Sequence, residues 1–329
     1  MNRDHVQFLV CPGCNVSLDL LDAKPPDGRF VESGRLRCAR CKSDFPIVRH
    51  IPRFVRLQNY AGSFGLEWTK HARTQYDSYS GTNVSEKRFF RQTEWPKDLS
   101  GQLILEVGSG SGRFTEQAAS TRGMVISFDL SYAVEANYAS NGQRDNVLIV
   151  QADIYNMPFG KGSFDRLFCF GVLQHTPDVG KAFSVLPAYL KRGGHIAVDV
   201  YRKQPWFSRA WKPRYRLRPI LKGMNPEALY RITSNYVRWM WPICRVLNIT
   251  RFGRRMSAAL LVVDYGREFG LSEGMSKEWA ILEMFDMLSA AYEEPQTMDA
   301  VEQWLKDAGL KNIEIGGGRH SIEARAVKE

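Results

Sequence analysis

The 329-residue chain lacks the features of a membrane-spanning or exported protein. It has no run of about 18 uncharged apolar residues, which excludes a transmembrane helix of ordinary length. The N-terminus, MNRDHVQFLVCPGC, lacks the apolar core and the small-residue cleavage site of a signal peptide. Apolar residues make up 44% of the chain and charged residues 24%, as in ordinary globular proteins. We therefore expect a cytoplasmic globular protein.

Acidic residues are nearly missing from one part of the chain. Residues 201–260 hold 14 Lys and Arg but a single acid, Glu227, so their local balance is +13 against +10 for the whole chain. Within 206–223, WFSRAWKPRYRLRPILKG, six residues are basic, four are aromatic and none is acidic. Because this one region carries the whole excess of positive charge, it predicts an anionic partner that meets one face of the protein.

Cysteine is scarce too, and four of the six cysteines form two C-x-x-C pairs, Cys11 with Cys14 and Cys38 with Cys41. Two tight turns of this kind can bring four thiolates together as a tetrahedral zinc site. Disulfides and free thiols are the alternatives, and disulfides are disfavoured in a reducing cytoplasm. Four cysteine ligands would leave no open coordination position, so we expect the zinc to be structural.

The order of apolar and polar segments predicts four parts. Residues 1–55 are predicted as a zinc-ribbon domain, and 56–100 as a linker or lid of one or two helices. Residues 101–202 together with 296–329 are predicted as an α/β domain. The remaining 203–295 do not fit its alternation and are predicted as a basic, aromatic-rich α-helical insertion that caps the substrate site.

Strand and helix signals alternate from residue 103 onward. The runs LILEVG, VISFDL, NVLIVQAD, FDRLFCF and HIAVDV have strand length, and helical segments lie between them. The last of these helices is predicted over VGKAFSVLPAYLKRGG, with its end at the glycines. A helix over TMDAVEQWLKDAGL and strands over KNIEIGG and IEARAVK close the chain. Repeated β-α units with nearly continuous apolar strands predict a parallel sheet covered on both faces.

A glycine-rich turn, EVGSGSGR at 106–113, follows the first of these strands. A dinucleotide-binding fingerprint would need glycine at its final position, where Arg113 stands. Asp129 ends the second strand, where a carboxylate can accept hydrogen bonds from both ribose hydroxyls of a nucleoside. Asp153 ends the third strand, close to where an adenine amino group would lie. All three loops follow the carboxyl ends of adjacent strands, which is where open α/β sheets bind ligands.

This arrangement resembles the class I S-adenosylmethionine-dependent methyltransferases. The E-x-G-x-G-x-G loop, the acid after the second strand, ADI before MPF, and FDRLFCFGVLQHTPD followed by LKRGGHIAV match the subgroup related to ubiquinone and menaquinone biosynthesis methyltransferases. The resemblance implies a seven-stranded Rossmann-like sheet with its last strand antiparallel, S-adenosylmethionine as cofactor, and the general class EC 2.1.1. The cofactor-binding residues it implies are Glu106 (for the cofactor's amino group), Gly108, Gly110, Gly112, Asp129, Leu130, Asp153, Ile154, Phe170 and Gly171.

The rest of the chain carries two further similarities. Residues 1–55 look like the zinc-ribbon domain that occurs as a small activator subunit of RNA and protein methyltransferases. Residues 61–95 and the segment EMFDMLSAAYEEPQT resemble a bacterial subgroup of fused methyltransferases associated with cell-surface glycan or small-molecule pathways. Neither similarity names a substrate.

His175, in GVLQHTPD, is the candidate catalytic residue, and two interpretations of it stay open. It lies just past the fourth strand, beside the expected methyl position, where it would be either a general base or a histidine that orders its loop. Asp199 and Tyr201, past the fifth strand, either face the same site or hold the insertion in place. No N/D-P-P-Y tetrapeptide follows the fourth strand, which argues against methylation of adenine or glutamine amino groups.

Three functions fit these patterns. The leading hypothesis is methyl transfer to a small-molecule or glycan acceptor, anionic and carried on a lipid or phosphate. The alternative is methylation of rRNA or tRNA, with the basic insertion and the zinc ribbon holding the RNA. A non-enzymatic scaffold is disfavoured by the intact glycine loop and the two acids. The oligomeric state is not predicted.

The segment 206–223 is predicted as a wall of the acceptor site or as a rim that touches the membrane from the cytoplasmic side. Trp206, Trp211 and Leu217 have spacings that partly suit an amphipathic helix on a bilayer surface. Pro213 and Pro219 are expected to interrupt such a helix.

Overall fold

The computed structural model describes residues 1–55, 61–205, 213–318 and 320–329. The strands are β1 (Leu18–Lys24), β2 (Ser33–Cys38), β3 (Asp44–Val48), β4 (Ile51–Pro52), β5 (Leu103–Val107), β6 (Met124–Asp129), β7 (Val147–Gln151), β8 (Phe164–Cys169), β9 (Leu190–Tyr201), β10 (Leu310–Gly316) and β11 (Ser321–Lys328). The α-helices are α1 (Gly62–Lys70), α2 (Asp77–Ser80), α3 (Val84–Thr93), α4 (Arg113–Ser120), α5 (Ala133–Asn141), α6 (Val179–Val185), α7 (Pro213–Leu221), α8 (Pro226–Leu247), α9 (Arg251–Ala259), α10 (Gly266–Phe269), α11 (Glu273–Ser289) and α12 (Met298–Asp307).

The seven strands β5 to β11 form one sheet in the order β10-β11-β9-β8-β5-β6-β7. Strands β5 to β9 pair in parallel, and β11 runs antiparallel to both β9 and β10. Every residue of β7 is buried, as expected for a strand covered by helices on both faces. The predicted α/β class and the seven-stranded Rossmann-like sheet with its antiparallel last strand are confirmed.

The N-terminal block has its own sheet, antiparallel in the order β1-β2-β3-β4. The two C-x-x-C pairs lie in turns of the same form. The Asn15 N–H donates to the Cys11 carbonyl over 2.7 Å, and the Lys42 N–H donates to the Cys38 carbonyl over 2.9 Å. Asn15 and Lys42 both have positive φ, so each pair is followed by the same left-handed residue that closes a tight turn.

Arg53 joins this block to the large sheet. Its side chain is 2% exposed, and its guanidinium donates to Gln151 Oε1 over 2.7 Å and to Glu135 Oε1 over 2.8 Å. The Phe54 N–H donates to the Gln151 carbonyl over 2.8 Å, so backbone and side chain bind the same strand end. Arg49 pairs with the same Glu135 oxygen, but its side chain is 68% exposed.

This geometry predicts that Arg53→Met destabilises the protein far more than Arg49→Met. Removing one partner of a buried charge pair costs about 3 to 5 kcal/mol, and because Glu135 is partly exposed we expect about 2 to 3 kcal/mol here. The exposed Arg49 pair should contribute at most about 1 kcal/mol. Urea unfolding of both variants measures the difference. Equal losses in the two variants would show that burial of Arg53 does not hold the blocks together.

Three predicted details differ from the structure. The linker expected to hold one or two helices contains three in its described part, α1 to α3. The helix predicted over 179–194 ends earlier, because β9 begins at Leu190 and pairs there with Phe164 of β8. Neither proline of this segment interrupts α7. Pro219 lies inside the helix, and Pro213 is its first residue, where the backbone N–H that proline lacks would have no helical partner.

The insertion is α-helical, as predicted, and has a small core of its own. Its longest helix, α8, begins at a cap in which Asn225 Oδ1 accepts the N–H groups of Glu227 and Ala228, with Pro226 in the first turn. Val237, Trp241 and Cys244 of α8 are buried in one cluster with apolar residues of α11. Of the predicted bilayer helix over 206–223, positions 206–212 lie outside the described residues. Among the described helices, none has both the length and the apolar content needed to cross a bilayer.

Candidate active site

The glycine loop lies at the carboxyl end of β5, as predicted, and its backbone depends on glycine at two positions. Gly108 has φ of +78°, and a Cβ there would lie 2.3 Å from the Val172 side chain. Gly112 has φ of +95°, and its Cβ would lie 2.1 Å from Asn137 Oδ1. Side chains at these positions would therefore displace both the β8 loop and α5.

Asp129 connects the end of β6 to this loop. Its Oδ2 accepts the Gly110 N–H over 2.9 Å, and its Oδ1 accepts the Ser131 N–H over 2.8 Å and the Ser131 hydroxyl over 2.7 Å. Burial raises the pKa of Asp129, and these hydrogen bonds oppose that rise. The carboxylate thus links the loop after β5 to the loop after β6 at the carboxyl end of the sheet.

A cavity opens above these loops, between the sheet, the linker helices and the insertion. The sheet side of its lining includes Gly108, Gly110, Asp129, Leu130, Ile154, Phe170, Gly171 and His175, all of them predicted site residues. Arg113 and Tyr201 of the sheet domain also line it, and the linker and the insertion contribute Phe64, Glu67, Trp68, Gln75, Arg88, Leu282, Glu283 and Asp286. Most of the cavity's charged groups therefore come from outside the five core strands and their loops.

Three predicted cofactor residues do not line this cavity. Glu106 is 1% exposed and accepts the Thr115 hydroxyl, and burial raises its pKa to about 7. The Asp153 side chain accepts the Tyr155 N–H over 3.0 Å and caps a short 3-10 helix. Gly112 lies below the loop, against Asn137. Their contacts with a cofactor remain predictions.

Acidic residues that the sequence analysis did not select gather on the insertion side. Glu67 is 1% exposed, and its Oε2 has no hydrogen-bond partner among the described residues. Burial, followed by repulsion from Asp286 and Glu283, raises the pKa of Glu67 well above its usual range. Burial also raises the pKa of Glu283 and of Asp286 to about 7. The sequence does carry one signal for Glu283 and Asp286, because these two acids stand three residues apart in the otherwise apolar helical run AILEMFDML.

His175 lies on the cavity wall, and its ring orientation is determined by its neighbours. Its Nδ1 is 2.9 Å from the Tyr292 carbonyl, and its ring packs edge-on against Phe64 and Tyr201 at 5.1 and 5.5 Å between centroids. Burial lowers the pKa of His175. Asp199 does not line the cavity but accepts the Gly171 N–H over 2.5 Å and pairs with Arg88 over 2.6 Å. Asp199 is thus a positioning residue, whereas Tyr201 reaches the cavity.

The four paired cysteines meet in a second candidate site. The Sγ atoms of Cys11, Cys14, Cys38 and Cys41 all lie within 4.8 Å of one another, and those of Cys11 and Cys41 are 3.7 Å apart. Tetrahedral zinc with Zn–S bonds of about 2.3 Å requires sulfur separations of about 3.8 Å. No disulfide joins any of the six cysteines in the structure. The donor set therefore fits zinc.

Comparisons with known proteins find sequence similarity in the α/β domain, whose loops line the cavity. Residues 105–198 match the family model described as "Methyltransferase domain". Phosphoethanolamine N-methyltransferase 2 of Caenorhabditis elegans is 34% identical over 109 residues, which cover 31% of this chain and 24% of that protein. Demethylmenaquinone methyltransferase of Thermobifida fusca is 28% identical over 128 residues, which cover 37% of this chain and 54% of that protein.

Among solved structures, Haemonchus contortus phosphoethanolamine N-methyltransferase 2 aligns with a TM-score of 0.46 at 15% identity, covering 87% of this chain and 62% of that chain. The chain spans only about a quarter to a half of the two curated relatives named above. Residues 105–198, which contain the glycine loop and the parallel strands of the sheet, are thus similar in sequence to methyltransferase domains.

Proposed function

We propose that this protein is an S-adenosylmethionine-dependent methyltransferase that acts on a small-molecule or glycan acceptor. The observation that carries the proposal is one cavity that the glycine loop and Asp129 line together with five further charged side chains, among them Glu283 and Asp286. Curated relatives of the domain include methyltransferases named for phosphoethanolamine and demethylmenaquinone, which are small molecules.

The cavity's lining offers suitable partners for the parts of the cofactor. Asp129 would hold the ribose, and Leu130, Ile154 and Phe170 would cover the adenine with apolar surface. S-adenosylmethionine supplies a sulfonium-bound methyl group for an in-line displacement, and the protein's part is mainly to orient the acceptor. A sulfonium is a cation, so the acids Glu283 and Asp286 on the insertion side favour it over an uncharged sulfur.

His175 has the protonation state that a general base requires. The Tyr292 carbonyl can only accept a hydrogen bond, so the Nδ1 of His175 carries a proton and donates it. A lowered pKa keeps the ring neutral near pH 7, and the neutral ring then leaves Nε2 as a proton acceptor. The same hydrogen bond ties the β8 loop to the segment after α11, so the loop-ordering role is compatible with this tautomer.

We further propose that the cysteine cluster holds a structural zinc ion. All four donors are thiols in two matching turns, which leaves no coordination position for a substrate. The ion would fix the N-terminal block, whose Arg53 reaches β7 beside the cofactor cavity.

Because the acids Glu283 and Asp286 would face the sulfonium, we expect the affinity for S-adenosylmethionine relative to S-adenosylhomocysteine to rise between pH 6 and pH 8. Glu283 and Asp286 have pKa values of about 7, so both change from neutral to anionic across this range. The two ligands share their amino, carboxyl and nucleoside groups, so the ratio of their dissociation constants isolates the sulfonium. We expect a rise of about tenfold, which corresponds to about 1.4 kcal/mol. Calorimetric titration at several pH values measures it.

Asp286→Asn should flatten this pH dependence, because the amide cannot ionise. Asp307→Asn, an exposed substitution on α12 that removes the same charge away from the cavity, should leave it unchanged. A ratio that stays constant with pH in the unchanged protein would show that the acids do not face the sulfonium. Failure to bind either ligand would contradict the proposed function itself.

The acceptor class can be tested by transfer of a tritiated methyl group. The protein would be incubated with labelled S-adenosylmethionine and with the separated small-molecule, lipid and RNA fractions of the producing cells. We expect label in the small-molecule or lipid fraction and none when Asp129→Ala replaces the unchanged protein. Label confined to RNA would support the RNA hypothesis instead.

A further inference from the structure

The insertion exposes a concentrated apolar surface that the cavity does not use. Among the described residues, twelve large hydrophobic side chains are exposed, and nine of them lie between residues 217 and 256. On α8 these are Ile232, Trp239, Ile243 and Val246, with Trp239 72% exposed. At 3.6 residues per turn, the four positions fall within an arc of about 60° of the helix surface. They therefore form one stripe along α8.

The stripe continues onto α9. Val246, Ile249 and Phe252 are exposed and stand three residues apart across the turn between the two helices. Three residues span at most about 11 Å even when extended, so these exposed side chains lie at the same end of α8. Met256 lies one turn further along α9 on the same side as Phe252. We call this set, Ile232, Trp239, Ile243, Val246, Ile249, Phe252 and Met256, the apolar face.

Arginines border the apolar face throughout its length. Arg231 and Arg238 immediately precede Ile232 and Trp239, and both are exposed. On α9 the exposed Arg251, Arg254 and Arg255 stand beside Phe252 and Met256, and no acid occurs between residues 228 and 263. Exposed apolar side chains bordered by cations are typical of helices that lie in the interface of an anionic bilayer.

The opposite side of α8 is already occupied. Val237, Met240, Trp241 and Cys244 are buried against α11, the helix whose Glu283 and Asp286 line the cavity. The stripe on α8 therefore lies on the side of the helix away from this buried cluster. Its end at Val246, together with Ile249, also lines a pocket that includes Glu273 and Ser276 of α11. A solvated surface would not account for a tryptophan and a phenylalanine that are each 72% exposed on adjacent helices.

We propose that the apolar face is a docking surface for an anionic lipid bilayer. The seven side chains would enter the interface, while the bordering arginines would reach the phosphate groups of the lipids. An RNA partner would explain the arginines but not the aliphatic stripe, because isoleucine and valine neither stack on bases nor contact phosphates. A second copy of the chain would place arginines opposite arginines. The apolar face contains no cavity residue, so its binding to lipid would not depend on methyl transfer.

Vesicle sedimentation tests the proposal with the full-length protein. The probes are vesicles of phosphatidylcholine alone and vesicles with about one third phosphatidylglycerol, an anionic fraction that attracts basic segments. We expect binding to the phosphatidylglycerol vesicles and at least tenfold weaker binding for Trp239→Ser/Phe252→Ser. The matched control is Val48→Ser, which replaces an exposed apolar residue on the N-terminal block. This variant should bind the vesicles as strongly as the unchanged protein.

A second pair of variants separates charge from apolar contact. Arg251→Gln/Arg255→Gln should weaken binding several-fold at low salt, whereas Lys161→Gln/Arg192→Gln, which removes two exposed charges elsewhere, should not. Because all these side chains are exposed, thermal unfolding should confirm that each variant is folded.

Three outcomes would overturn the proposal. The first is no binding to phosphatidylglycerol vesicles by the unchanged protein. The second is binding that Trp239→Ser/Phe252→Ser leaves intact, which would place the contact elsewhere, as in 206–212. The third is that a different partner takes the place of vesicles, seen either as a dimer in sedimentation velocity that the same double variant dissociates or as tight binding of a single-stranded RNA 20-mer. Cofactor binding, measured separately, would be unaffected in every case.

Discussion

Asp129→Ala should weaken binding of S-adenosylhomocysteine by at least about 100-fold. The substitution removes the acceptor for the predicted ribose hydroxyls, and hydrogen bonds to a charged group contribute about 1.5 to 3 kcal/mol each. It also frees the Gly110 N–H, which the carboxylate accepts over 2.9 Å, so the glycine loop loses its tie to β6. Two such losses amount to roughly 3 kcal/mol or more, which is about two orders of magnitude in affinity. Calorimetric titration measures the change.

Two further substitutions make this result specific. Asp153→Ala should weaken binding by less than about tenfold, because that side chain caps a 3-10 helix and does not line the cavity. Asp307→Ala, on the exposed side of α12, should have no effect on binding. Circular dichroism of Asp129→Ala should match that of the unchanged protein. If Asp129→Ala still bound within threefold of the original affinity, the ribose assignment would be wrong.

Cys41→Ser should remove the zinc ion and destabilise the N-terminal block by several kcal/mol. Cys41 is exposed, and an exposed Cys→Ser substitution ordinarily changes the free energy of unfolding by less than about 0.5 kcal/mol. A zinc ligand is different, because binding of a structural zinc ion contributes about 10 kcal/mol or more to folding of the surrounding module. Elemental analysis should give one zinc per chain in the unchanged protein and a strongly reduced content in the variant. Thermal unfolding should begin at a lower temperature.

Cys244→Ser is the matched control for this experiment. Cys244 is fully buried in the insertion core, so the substitution should lower stability while leaving one zinc per chain. Loss of zinc in both variants, or one zinc per chain retained by Cys41→Ser, would contradict the proposed site. The effect should also reach the large sheet, because His50 stacks on Tyr138 at 5.1 Å between ring centroids and Arg53 binds β7.

The sheet side of the candidate site could be predicted because it depends on local signals. A loop with glycine at 108, 110 and 112 can take positive φ at each of these positions, and the structure shows that it does. Asp129 stands at the end of an apolar strand, and in a parallel sheet that position always faces the ligand edge. The assignment of Asp153 was based on the same rule. Its side chain caps the short 3-10 helix that follows β7, and its contact with a cofactor stays a prediction.

The acids that the linker and the insertion contribute to the cavity could not be predicted from sequence alone. Glu67 and Glu283 are more than 200 positions apart in the chain, and they meet only because α1 and α11 close over the same sheet edge. The predicted preference for an anionic acceptor rested on the summed charge of 201–260. Among the described basic residues of that segment, Arg231, Arg238, Arg251, Arg254 and Arg255 are exposed, whereas the side chain of Arg218 is only 12% exposed and pairs with Glu293. The cavity itself is lined by acids together with Arg88 and Arg113.

The sequence by itself determined the α/β class, the order of the strands along the chain, the glycine loop and the paired cysteines, because each is encoded in residues that are neighbours in the chain. Only the tertiary structure decided which acids reach the cavity and which side of α8 is free. That helix has apolar residues on both sides, Val237 and Cys244 on one and Trp239 and Val246 on the other. Periodicity cannot choose between two apolar sides. The choice is made by α11, which buries one of them and leaves the other exposed.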